Sequence, residues 1–145
     1  MFTDTAQRVL QLSDYAVRLA AARDQSYALA REVEKSQATL NGVAQDPASD
    51  AALCRYATDA LESLCENLVR LCALTDQASA NAEALAALPL KFFTDNDGAA
   101  ADLEAAVLSL AEATSTAEAQ LAELAQVVEE ACGAVNEMRR PAQIG

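Results

Sequence analysis

Residues 103–138 read LEAAVLSLAEATSTAEAQLAELAQVVEEACGAVNEM, and the spacing of their apolar members decides the fold. Leu103, Val107, Leu110, Thr114, Ala117, Leu121, Leu124, Val128, Ala131, Val135 and Met138 recur at alternating intervals of four and three residues, without a slip. At that period one stripe of an α-helix stays turned toward a neighbour, so the stretch predicts a long helix packed along a seam.

The same pattern extends back through the chain. A second seam runs through Cys54, Ala57, Leu61, Leu64, Leu68, Leu71, Thr75, Ala78, Ala82 and Leu85, and a thinner one through Leu12, Tyr15, Leu19, Ala22, Ser26, Leu29, Val33, Ser36 and Leu40. Two places interrupt it. Asn41-Gly42 offers a left-handed C-cap, and Asp46-Pro47 a cap followed by a proline suited to a first helical turn. Pro89 then precedes Lys91-Phe92-Phe93 and the turn-rich Thr94-Asp95-Asn96-Asp97-Gly98. Arg139-Arg140-Pro141 closes the last helix with positive charge and a breaker. The expectation is an all-α single domain over residues 1–145, with helices at about 4–40, 47–88 and 98–140. Short loops imply that consecutive helices run antiparallel, as an elongated three-helix bundle with coiled-coil-like packing. Cys54 and Cys132, equally distant from Phe93 in sequence, should then be neighbours without forming a disulfide.

Composition narrows the function. Roughly a quarter of the residues are Ala and there is no Trp, which favours close-packed helices over bulky anchors. Ten basic residues against twenty-two acidic ones leave a net charge of −12. Nucleic acid needs clustered Lys and Arg, so it is not expected as a partner. The longest apolar run, Ala84 to Leu88, is too short to span a bilayer, and the N-terminus does not read as a secretion signal. The chain is expected to be cytoplasmic, without a transmembrane segment.

The residues that usually carry chemistry are few. There is no His, which removes the commonest general base and nitrogen metal ligand. Cys54, Cys65 and Cys72 lie eleven and seven positions apart on one helix, too far to converge on one ion. Asp95-Asn96-Asp97-Gly98 with Glu104 approaches a calcium loop, but its first ligand position falls on Phe93. Asp95 and Asp97 are read instead as caps of the third helix. Glu62 with Glu66 and Glu129 with Glu130 read as a solvated acidic face. No catalytic residue, metal or cofactor is expected.

What stands out is apolar surface. Leu53, Leu74 and Val127 flank the seams, and Phe92 and Phe93 fall in a connecting loop, where they either plug the bundle end or meet a partner. These five are the expected partner-binding residues. In organisation the chain looks like spectrin-type three-helix repeats, though it lacks their Trp, or like small helical subunits of membrane-trafficking adaptor complexes. The function expected is a non-enzymatic interaction or scaffolding subunit that binds a protein partner or itself. The alternative is an amphipathic helical coat that opens on a lipid or storage-granule surface, eased by seam residues Ser26, Ser36, Thr75 and Thr114.

Overall fold

In a computed structural model, residues 2–96 and 98–139 are described, and every regular element among them is helical: α1 (Phe2–Ala44), α2 (Ala51–Ala86), α3 (Leu90–Asp95) and α4 (Ala99–Arg139). All positions of the three seams are buried or half-buried. The periodicity therefore located the inward stripe of each long helix.

Helix ends depart from expectation. Helix α1 does not stop at Asn41-Gly42 but runs on to Ala44, and Gly42 does not take the positive φ of a left-handed cap. Nothing lies within 4 Å of where a Cβ on Gly42 would stand. Helix propensity alone then decides a substitution, and Gly42→Ala should stabilise the protein by about 0.5–1 kcal/mol in denaturant unfolding. A loss of stability would mean that Gly42 has a backbone role outside the helix.

Helix α2 starts at Ala51 and not at 47, because Asp46 and Asp50 divide the work between them. Asp46 accepts at Oδ1 from the Ala48 amide at 2.9 Å, and its carbonyl accepts from the Ser49 amide at 3.1 Å. Pro47 thus follows the first residue of a turn, a place its fixed φ suits. The Asp50 carboxylate then accepts from the amides of Ala52 and Leu53 at 3.0 and 3.2 Å, capping the helix.

The second break holds a fourth helix where a loop was expected. Pro89 ends the path of α2 and stands as N-cap of α3, with the Phe92 amide donating to its carbonyl at 2.9 Å. Asn96 Nδ2 closes α3 on the Phe92 carbonyl at 2.7 Å, and Gly98 turns the chain at φ 80°. Asp95 is the last residue of α3, 3.9 Å from Lys91, so it does not cap the helix that follows. The capping role expected of Asp97, and the closing signal of Arg140 and Pro141, lie outside the described residues.

By its contacts the chain divides into two compact units, and each long helix contributes to both. The first comprises the described residues of Met1–Asp24 with Cys72–Gln120, and the second those of Gln25–Leu71 with Leu121–Gly145. In the first unit Arg8 pairs with Glu104 at 3.6 Å and Arg18 pairs with Glu118, its Nε standing 3.2 Å from Oε2. The two pairs advance together along both helices, so α1 and α4 run in the same direction there. Leu85 and Leu88 share a surface depression with Ala99 and Leu103, whereas Asn81 and Ala84 share the next with Ala106 and Leu110, so α2 runs opposite to α4. Leu12, Leu19, Ala82, Leu103 and Ala117 are among its buried residues.

The second unit has one contiguous core. Val33 and Leu40 from α1 meet Cys54, Leu61, Leu64 and Leu68 from α2 and Val128, Cys132 and Val135 from α4. Cys54 and Cys132 belong to this one cluster, and all four cysteines are unbonded.

Ser26, Ser36, Thr75 and Thr114 on the seams are buried, and the two threonines bond within their own helices. In the first unit Thr75 donates to the Cys72 carbonyl at 3.1 Å, and Thr114 to that of Leu110 at 2.7 Å. Ser79 is fully buried, and its hydroxyl has no hydrogen-bond partner among the described residues. A buried hydroxyl without a partner has lost its water for nothing, so Ser79→Ala should raise stability by about 1 kcal/mol, measured by thermal or urea unfolding. A lower stability would show that the hydroxyl is bonded in solution.

Candidate functional site

The five residues singled out by sequence divide between the two units, Leu74, Phe92 and Phe93 falling in the first and Leu53 and Val127 in the second. Phe93 is buried at 4% exposure, so as an exposed anchor it is excluded: it faces inward from α3 and plugs the first unit. Its ring meets that of Phe92 edge to face, with centroids 5.3 Å apart and planes at 88°. The expectation treated both as loop residues. One residue's step along α3 instead separates their directions by about 100°, which sends one ring into the unit and leaves the other exposed. Leu74 is exposed on α2 in the first unit.

Leu53 and Val127 are brought together in the second unit. They line a groove of about 300 Å³ between α2 and α4. From α2 come Leu53, Tyr56, Ala57, Ala60 and Leu61, and from α4 Val127, Ala131, Ala134, Val135 and Met138, with Glu130 the one charged member among the described residues. Its shape follows from sequence spacing. Ala60 and Ala134 each follow a larger residue, Leu53 or Val127, by seven positions, two helical turns further along the same stripe. Small side chains at these places and at Ala57 and Ala131 leave the floor low. Leu53, Tyr56 and Val127 stand exposed at its edges.

Tyr56 escaped the sequence reading because it carries a polar hydroxyl and lies off the seam. The signal was the spacing Leu53, Tyr56, Ala60, a second apolar stripe beside the first. Met138 was read as a seam residue, and its half-buried side chain serves both seam and groove.

Among the described residues, Arg18 and Cys72 are displaced from their ordinary protonation behaviour. Arg18, forked onto Glu118, also stands 5.8 Å from the Tyr15 ring centroid. The Glu118 hydrogen bond, with charge from Glu118 and Asp14, holds its pKa above the ordinary arginine value against a smaller opposing effect of burial. Burial pushes the Cys72 thiol up, and the nearby Asp76 adds to this, which keeps it protonated and a poor nucleophile. Glu104 of the calcium-like stretch pairs with Arg8. Among the described residues no three Cys, Asp or Glu side chains converge as a metal site, and no helix is long and apolar enough to cross a membrane.

No family model, characterised protein or solved structure matches this chain.

Proposed function

We propose that this chain is a non-enzymatic interaction or scaffolding subunit of a larger assembly, with its long helices acting as an antiparallel bundle that presents apolar surface to another polypeptide. The observation that carries the reading is the α2–α4 groove of the second unit, where Leu53, Tyr56 and Val127 remain exposed beside a core that is otherwise closed. Exposed apolar residues gathered at one groove are the usual sign of a binding surface, whereas scattered ones are not. A cytoplasmic setting belongs to the proposal, supported by four unbonded thiols.

The test compares the tagged wild-type chain with Leu53→Glu/Val127→Glu by affinity purification and sedimentation. A stoichiometric partner or self-association, lost in the variant while helicity is retained, is the expected result. A wild-type chain that stays monomeric and retains no partner removes the proposal.

The coat reading draws on a different observation. Ser26, Ser36, Thr75 and Thr114 are all buried along the seams, and polar groups there weaken the closed state relative to an opened one. Opening on a lipid emulsion would expose the buried Cys54, Cys72 and Cys132 to alkylation. Unchanged alkylation with emulsion present removes this second reading.

A further inference from the structure

We propose that the α2–α4 groove of the second unit receives a basic amphipathic helix from a partner protein, an inference that rests on the interaction role proposed above and specifies its occupant. The groove is apolar and linear. Leu53 to Leu61 along α2 and Val127 to Met138 along α4 span about 12 and 16 Å at 1.5 Å per residue, the length of two to three helical turns. Its alanine floor lets a third backbone approach the pair closely, and an apolar stripe at i, i+3, i+4 and i+7 meets Leu53, Tyr56, Val127 and Met138.

Charge selects the partner. Helix α1 is electrically balanced, with five cations against five carboxylates. Helix α2 carries two cations against five carboxylates, and α4 one against eight. Within the second unit α1 is balanced at two cations against two carboxylates, α2 carries two against three and α4 one against four, so the local excess of negative charge sits on the two helices that form the groove, mainly on α4. On α4 it is aligned, because Glu123, Glu130 and Glu137 follow one another at seven-residue intervals. Glu130 lines the groove, Glu123 and Glu137 share its stripe of α4 two turns to either side, and all three are exposed. Among the described residues the lining contains no Lys or Arg. A second copy docked groove to groove would set these glutamate rows against each other, since a two-fold contact places the same patch on both sides. A helix flanked by Lys and Arg answers the row with opposite charge, which gives register and steering.

The test uses the full chain and a fluorescent peptide of about 18 residues, long enough to hold a helix once bound. The peptide has a Leu/Ala stripe and Lys/Arg flanks. One control scrambles its order at constant composition, and another replaces Lys and Arg by Glu. Saturable binding of the ordered peptide is expected, at least about tenfold tighter than the scrambled one, with none for the acidic one. Glu123→Gln/Glu130→Gln/Glu137→Gln should weaken it by about tenfold and flatten its salt dependence. Leu53→Glu/Val127→Glu should abolish it with the melting temperature unchanged. Equal binding of ordered and scrambled peptides, or no effect of the glutamine variant, overturns the proposal. So does a homodimer dissolved by Leu53→Glu/Val127→Glu, although that result leaves the interaction role standing. Failure of the role itself would show separately, as a wild-type chain that retains no partner and remains monomeric.

Discussion

Leu68→Ala should cost about 2–5 kcal/mol of unfolding free energy, read as a shift of the urea midpoint with little change in slope. Leu68 is fully buried within a cluster to which all three long helices of the second unit contribute, including Val33, Leu61 and Val128. Removing its isobutyl end forfeits transfer free energy and leaves a cavity that neighbours on three separate helices cannot close without moving backbone. Among the described residues the cluster contains no aromatic side chain to swing into the space. Against a total stability of about 5–15 kcal/mol for an ordinary domain, such a loss is large. Val17→Ala is the matched control, because Val17 is 70% exposed and its truncation should change stability by less than about 0.5 kcal/mol. Equal effects of the two substitutions would mean that the second unit lacks the packed core described above.

Ala117→Leu should destabilise the protein by about 1–3 kcal/mol, the usual cost of forcing extra methylenes into a filled space. Ala117 has no exposed surface, and the next residue, Glu118, holds Arg18 of α1. At a seam position a small side chain sets how near the helices approach, so a leucine there must displace a helix or adopt a strained rotamer. The melting temperature should fall by roughly 2–4 °C for each kcal/mol at this chain length. A variant as stable as the parent would show that the first unit has room at this level and that its alanines reflect helix propensity alone.

These two positions also show how far the sequence could be read. Leu68 and Ala117 were both seam positions in the heptad pattern, and both are buried. Periodicity records which residues face a neighbour, and burial along a helix depends on little else. The helix ends were less legible. Asn41-Gly42 looked like a stop, yet glycine is only permissive of a left-handed cap, and here the backbone continues through it. Asp46 and Asp50 both had the chemistry of a cap, and the local hydrogen bonds, not residue type, assigned one to a turn and the other to α2.

The candidate site was half legible for a related reason. Leu53 and Val127 stood out as apolar residues beside their seams, but each belongs to a different helix, and one-dimensional spacing carries no information about which flanks face each other. Their meeting across a floor of alanines, with Tyr56 and Met138 at the same groove, depends on the register between α2 and α4. Phe93 makes the same point from the other side, since only the short helix α3 separates a buried ring from the exposed one next to it in sequence. By itself the sequence determined the helical class, the inward stripe of each long helix and the concentration of acid on α2 and α4, because these follow from residue type and a fixed helical period. Local hydrogen bonds set the helix ends, and tertiary structure alone decided which phenylalanine is inside and which apolar flanks combine into a groove, because those depend on contacts between residues far apart in the chain.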